Sequence, residues 1–142
     1  MRRGLPLLIR LAQQSADEVR GDLARVARAS AAAARAVDEH DATAASEASR
    51  ALSDPDALAA MATWVPHAAR SRAPLQHRAA ELDRSESATR ELLRDAIART
   101  KRLELALDAI QAAHRQDATR RASQQADENE LTRRASVGPT DA

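Results

Sequence analysis

The sequence predicts an all-α protein in which two long helices form an antiparallel coiled-coil hairpin. The first observation is that 44% of the 142 residues are hydrophobic but only 1% are aromatic. Most of the hydrophobic residues are alanines, which bury too little area to fill a thick core. The second observation is a balance of 22 basic and 21 acidic residues with only three glycines, which is typical of long helices. The third is a heptad pattern in two long segments.

The first predicted helix spans about residues 4–52. Alternating steps of four and three residues reach small or apolar side chains at most positions, which form one stripe, here called the seam, along a helix face. The alanine run at 31–34 favours helix and leaves room for a close approach of the second helix. The predicted seam positions are Leu5, Ile9, Ala12, Ala16, Val19, Leu23, Val26, Ser30, Ala33, Val37, His40, Ala44, Glu47 and Ala51.

The connection between the two helices is predicted at about residues 53–74. Ser53 or Asp54 can cap a new helix, and a proline follows at the first helical position, where a missing N–H costs nothing. Pro66 and Pro74 each disfavour helix at the preceding residue. We therefore expect a short Pro-bounded helix or a kink here, with Trp64, the sole aromatic residue, off both seams.

The second predicted helix spans about residues 75–135, so that residues 1–135 form a single hairpin. Its seam begins at Leu75 and is most apolar between Leu92 and Ile110. Beyond Ile110 the seam positions are polar, and we expect this stretch to stay helical while packing weakly. Gly138 and Pro139 predict the end of the helix, with a frayed tail at 136–142. The predicted seam positions are Leu75, Ala79, Leu82, Glu86, Thr89, Leu93, Ala96, Thr100, Leu103, Leu107, Ile110, His114, Asp117, Arg121, Gln124, Glu128 and Leu131.

Catalysis requires a concave site that excludes water, and a hairpin of two helices offers none. The three glycines are scattered, so there is no phosphate-binding loop, and no serine lies in a nucleophile-elbow setting. The absence of cysteine excludes a disulfide framework and a thiolate zinc site. The sequence therefore predicts a protein that is not an enzyme, with no cofactor and no small-molecule substrate.

The four histidines are spaced too far apart to form a metal site on one helical face. None lies three or four residues from another histidine. His40 and His114 fall on the predicted seams, where a polar residue that sets the register is the favoured interpretation and a metal ligand the alternative. His67 and His77 lie in and just after the connection.

Neither a nucleic acid nor a bilayer interior is an expected partner. Acidic residues interrupt every basic cluster, and the aromatic residues that stack on bases are missing. The apolar run at 5–9 is broken by Pro6 and stopped by Arg10, which makes it shorter than a signal peptide needs. No apolar stretch has the length of a membrane span. These features predict a soluble, cytoplasmic protein.

Three stretches carry a resemblance to the FliJ family of bacterial flagellar export proteins. Divergent, Ala/Arg-rich members have the pattern A-aromatic-x-x-x-K-[KR]-[FL]-E in the second helix and A-x-R-R-x-x-x-x-x-D-E near its end. This chain resembles the first pattern with Ile97 in place of the aromatic residue, and residues 7–12 resemble the opening of the family. The matching residues are Lys101, Arg102, Leu103 and Glu104 in the first pattern, and Arg120, Arg121, Asp127 and Glu128 in the second.

The resemblance implies a stalk-like coiled coil of the flagellar type III export apparatus. Its partners would be the hexameric export ATPase, the export gate membrane protein and export chaperones, and it would associate peripherally with the inner membrane through that apparatus. Residues 97–104 would face the gate or another partner, and the paired ends at 5–11 and 120–134 would enter the ATPase ring. The implied partner-binding residues are Ile97, Lys101, Arg102, Leu103, Glu104, Arg120 and Arg121.

Other interpretations remain open from the sequence. Each of these residues is also explained as a seam or solvated position. The whole chain is also explained as a generic structural or scaffolding coiled coil, or as the equivalent stalk protein of an injectisome-type secretion system.

Overall fold

A computed structural model describes residues 4–138, which form two α-helices and no strand. Helix α1 comprises Gly4–Ala51 and helix α2 comprises Pro55–Ser136. This confirms the predicted all-α fold of two long helices. By contact density the described chain divides into two units. Unit 1 contains residues 4–11 and 99–138, and unit 2 contains residues 12–98.

The connection between the helices is a three-residue turn in unit 2, from Leu52 to Asp54. The hydroxyl of Ser53 donates to the carbonyl of Arg50 at 2.8 Å and so closes the end of α1. The Asp54 carboxylate accepts a hydrogen bond from the backbone N–H of Asp56 at 3.0 Å. Of the two predicted caps, Asp54 therefore caps α2, and Pro55 occupies its first position.

The length of this connection differs from the predicted 53–74, because α2 begins at Pro55 and continues through Pro66 and Pro74. Both prolines are exposed. The carbonyls that lose a helical partner, those of Ala62 and Arg70, also belong to exposed residues that water can reach. The packing of this stretch of α2 against α1 therefore outweighs the preference of the residue before each proline for a non-helical conformation.

The seam predicted for α1 is confirmed at all but one position. Every seam residue from Leu5 to Ala51 is buried or half-buried except Glu47, which is exposed while the neighbouring Ala48 is half-buried. Among residues 4–138, four of the five buried side chains are alanines. The core is thus a thin line of small side chains, as the composition predicts.

The seam of α2 is confirmed from Leu75 to Leu107, where each predicted position is half-buried. It also extends towards the turn, which the prediction had excluded. Trp64 is half-buried on this extension and not off both seams, and with Met61 it lines a groove against Ala51. The additional half-buried positions are Ala57, Met61, Trp64, Ala68 and Arg72.

One step in α2 departs from the heptad. Half-buried positions from Trp64 to Leu75 follow spacings of four, four and three residues. Such an 11-residue step has 3.67 residues per turn and locally removes the left-handed supercoil. In α1 the heptad continues through this region, and both His40 and Asp41 are half-buried. Ala33 and Leu75 line the same groove, so the step in α2 lies opposite this part of α1.

In unit 1, α1 contributes residues 4–11, with Leu5 half-buried and Ile9 buried. The half-buried apolar side chains of α2 in this unit are Leu103 and Leu107. Residues 108–136, here called the distal segment, have no apolar side chain that is buried or half-buried. Its exposed side chains include Ile110 at 40% and Leu131 at 64%. The prediction that this stretch stays helical and packs weakly is confirmed.

The helix α2 ends at Ser136, close to the predicted stop. Backbone hydrogen bonds join Val137 to the carbonyl of Arg133 at 3.0 Å and Gly138 to that of Ala135 at 3.4 Å. Pro139 and the rest of the predicted frayed tail lie outside the described residues. Within residues 4–138, neither helix contains a stretch long and apolar enough to cross a bilayer.

Candidate partner-binding site

The seven partner-binding residues implied by the sequence all lie on α2. Ile97 belongs to unit 2 and is exposed, and the other six belong to unit 1. Leu103 is a half-buried seam residue, so its side chain serves the packing of unit 1. Glu104 beside it is also half-buried, whereas Lys101 and Arg102 are exposed. Of this cluster, the two basic residues are the ones that a partner can reach most easily.

Arg120 and Arg121 lie in the distal segment and share one acidic partner. Their guanidinium groups lie 3.0 Å and 2.7 Å from the carboxylate oxygens of Asp117, one helical turn before them. Exposed ion pairs of this kind contribute about 0–1 kcal/mol each, so an incoming acidic group can displace Asp117 at little cost. The arrangement holds two exposed guanidinium groups on a stretch of helix, residues 108–136, that has no buried apolar side chain.

The same arrangement occurs again thirteen residues further along. Arg133 and Arg134 lie 2.7 Å and 3.1 Å from the carboxylate of Glu130. Both groups lie in the same local sequence, since Thr-Arg-Arg-Ala-Ser stands at 119–123 and again at 132–136. Thirteen residues turn an α-helix by about 220° beyond complete turns, so the two acid–Arg–Arg groups point to nearly opposite sides.

The second acid–Arg–Arg group was not predicted, although a signal for it exists in the sequence. A heptad count does not detect a 13-residue separation. The identical five-residue run does reveal it, and the acid three residues before each arginine pair identifies the ion-pair geometry in advance.

The prediction that residues 5–11 pair with residues 120–134 is corrected by unit 1. No side chain in 120–134 is buried, and the half-buried apolar side chains of α2 are Leu103 and Leu107. The cause is the short turn at 52–54. Because α2 begins about twenty residues earlier than predicted, the start of α1 reaches α2 about twenty residues earlier as well.

A half-buried polar cluster lies in unit 2, beside the 11-residue step of α2. The Arg72 guanidinium binds the Asp41 carboxylate in bidentate fashion, with Nε 2.7 Å from Oδ1 and Nη2 3.1 Å from Oδ2. The hydrogen bond from Arg72 holds the pKa of Asp41 below its ordinary value, and Asp41 in turn raises the pKa of Arg72. A carboxylate and a guanidinium on facing seams fix one register, because a slip would leave each without its partner.

His40 flanks this ion pair and is half-buried. Its Nδ1 atom is buried without a hydrogen-bond partner and lies 3.9 Å from the carboxylate of Asp41. In residues 4–138 there is no group of three or more His, Cys, Asp or Glu side chains that could hold a metal ion. The location of His40 beside Asp41 favours the interpretation of a polar residue that contributes to register.

The sequence also contained an unused signal for Arg72. The 4-3 spacing of the seam, extended from Leu75 towards the N-terminus, reaches position 72. It therefore places a charged residue on the seam and predicts an acidic residue on the facing helix. The predicted seam starts at Leu75 because Pro74 indicates a helix boundary.

The described fold and surface define a class of protein, the two-helix antiparallel coiled coil with a solvent-exposed helical extension. No protein-family model, curated protein or solved structure matches the chain.

Proposed function

We propose that this protein is a stalk-like coiled coil of the flagellar type III protein export apparatus. In this role it engages the ring of the export ATPase through the distal segment and contacts the export gate through Lys101 and Arg102. It assists the delivery of chaperones and their export substrates, without catalysing a reaction itself. It resides in the cytoplasm and reaches the inner membrane through the export apparatus.

The observation that carries this proposal is the distal segment. It is about 29 residues of continuous helix, roughly 43 Å long, in which no apolar side chain is buried. A helix that is polar all round relies on pairs between its own side chains or on a partner. Its ion pairs are local and weak, so most of its surface is available for binding.

The resemblance adds the identity of the partner. Residues Arg120, Arg121, Asp127 and Glu128, which match the family pattern, all lie in the distal segment and are all exposed. A slender helix with alternating charges fits a ring lumen through many polar contacts, each of which is weak. The proposal therefore places the ATPase contact on exposed charges and not on an apolar anchor.

Addition of the purified protein to the cognate export ATPase tests the proposal. We expect the protein to promote ring assembly and raise ATP turnover. The double variant R120E/R121E should weaken this effect by about tenfold, because it reverses two charges and places them beside Asp117. The measurement is the protein concentration that gives half-maximal stimulation of ATP hydrolysis.

The matched control is R20E/R25E in unit 2. Arg20 and Arg25 are also exposed, and each pairs with an aspartate three residues earlier. This control should stimulate the ATPase as the parent chain does. No change in ATP turnover at saturating protein would rule out the stalk role.

The same assay separates the alternatives. A scaffold protein would leave ATP turnover unchanged and self-associate in light scattering. An injectisome stalk would stimulate the ATPase of a needle complex and leave the flagellar ATPase unaffected.

A further inference from the structure

The first two turns of α1 expose an unusual concentration of large apolar side chains. Leu7, Leu8 and Leu11 are 56%, 51% and 51% exposed. Leu11 lies four residues from Leu7 and three from Leu8, so the three side chains share one side of the helix. Ile9 is buried on the other side. Among the described residues, no other stretch of five carries three exposed large apolar side chains.

The charge around these leucines is one-sided. The first acidic residue of the chain is Asp17, whereas arginine occurs at positions 2, 3 and 10. The described residues of unit 1, 4–11 and 99–138, include nine basic and six acidic residues. Residues 12–98 include 11 basic and 14 acidic residues. The excess positive charge therefore lies in the same unit as the exposed leucines.

We propose that residues 7–11 bind the surface of an anionic lipid bilayer, with the side chains of Leu7, Leu8 and Leu11 inserted among the acyl chains. Exposed leucines on one side of a helix gain free energy when they leave water for the bilayer boundary. Arginines close to these leucines in the sequence, such as Arg10, are attracted to the negative lipid headgroups. Neither contribution is sufficient alone, and this segment combines both.

A lipid surface matches this segment better than a protein groove does. Exposed apolar patches of this kind mark interaction sites. The side that carries the leucines continues into Gln14 and Ser15, which are exposed and uncharged. The segment thus offers apolar area and diffuse positive charge without the placed polar groups that a specific protein interface uses. The proposal does not depend on the export role, since lipid binding requires only this segment.

The test is co-sedimentation of the full chain with lipid vesicles. One set consists of phosphatidylcholine and the other contains about one third phosphatidylglycerol. We expect the chain to partition into the anionic vesicles at least about tenfold more strongly, and added salt to weaken the binding. The variant L7Q/L8Q/L11Q should lose at least about tenfold in partitioning, because glutamine keeps the helix propensity while removing the apolar area.

A matched control removes three leucines of similar exposure from the other helix, α2. The variant L92Q/L105Q/L131Q changes side chains that are 59%, 65% and 64% exposed. It should bind the anionic vesicles within about twofold of the parent chain. Circular dichroism of each variant establishes that the helices are retained.

Two results would overturn the proposal. One is equal partitioning of the parent chain and L7Q/L8Q/L11Q into anionic vesicles. The other is the absence of vesicle binding together with a leucine-dependent interaction with the purified export ATPase, which would assign these side chains to a protein partner. The ATPase stimulation assay contains no lipid, so failure of the vesicle experiment leaves the export proposal to be decided by its own test.

Discussion

At the scale of single residues, the ion pair between Asp41 and Arg72 contributes specificity that the alanine seam lacks. Small side chains such as Ala33 and Ala44 pack almost equally well in shifted registers. A bidentate pair tolerates no shift, because each group would lose two hydrogen bonds. The pair also lies where α2 takes an 11-residue step, so it fixes the part of α1 that this step must face.

The pair predicts a pH dependence of stability. The folded-state pKa of Asp41 is depressed, so the pair stabilises the fold above the unfolded-state pKa of this carboxyl. That stabilisation is lost as the pH falls from there through the folded-state pKa. Asp41→Asn should therefore lower the melting temperature at about pH 7. The difference from the parent chain should shrink at about pH 2. Thermal melting followed by circular dichroism measures both.

The control for this prediction is Asp22→Asn. Asp22 is exposed and pairs with Arg25 on the same helix, so its removal should hardly change the melting temperature at either pH. An effect of Asp41→Asn that stays constant from neutral to acidic pH would show that the carboxylate charge does not stabilise this register.

At the scale of helices, α2 shows how packing overrides local preference. Pro66 and Pro74 each remove a backbone hydrogen bond, which usually ends or kinks a helix. Here the segment that contains them carries Met61 and Trp64, the bulkiest seam residues near the turn, and these pack against α1. The continuous helix retains that contact while the bonds lost at the prolines lie on the solvent side.

Restoring the lost bond at one of these positions should stabilise α2. Pro66→Ala gives the Ala62 carbonyl a hydrogen-bond partner and removes the clash of the proline ring. The stabilisation from these two effects is larger than the free energy lost because the unfolded chain without proline has more conformational entropy. We expect a gain of about 1–2 kcal/mol in the free energy of unfolding. Denaturant unfolding followed by Trp64 fluorescence gives this value.

Pro6→Ala is the matched control, because Pro6 lies in the first turn of α1, where the N–H has no helical partner. Its free energy of unfolding should differ from that of the parent by less than about 0.5 kcal/mol. A Pro66→Ala variant that unfolds at the same or lower denaturant concentration would mean that α2 needs the proline geometry.

The helices illustrate what a sequence of this kind can and cannot predict. The seam from Leu5 to Ala44 and from Leu75 to Leu107 follows from periodicity alone, because burial in a two-helix pair is set by the facing side of each helix. The prediction places the turn wrongly because it rests on the local tendency of proline to interrupt a helix. That tendency does not include the tertiary contacts of Trp64, which favour a continuous helix. The residues proposed to bind a partner, such as Arg120, leave no trace in the packing of the chain, so periodicity cannot distinguish them from other solvated arginines.

At the scale of the whole molecule, the two helices differ greatly in length, with 48 residues in α1 and 82 in α2. The described part of α1 contributes residues 4–11 to unit 1, whereas α2 contributes residues 99–136. Of these, residues 108–136 have no buried or half-buried apolar side chain. Isolated helices are only marginally stable in water, so the distal segment gains most from a partner that covers it.

The most direct test of this account is hydrogen exchange of the full chain, measured alone and with saturating export ATPase. In the free chain, amides of residues 108–136 should exchange at least about tenfold faster than those of residues 75–98, because their helix lacks tertiary contacts. Addition of the ATPase should slow exchange in 108–136 and leave residues 75–98 unchanged. Exchange in 108–136 that is unaffected by the ATPase would contradict the central claim that the distal segment is the surface this protein offers to its partner.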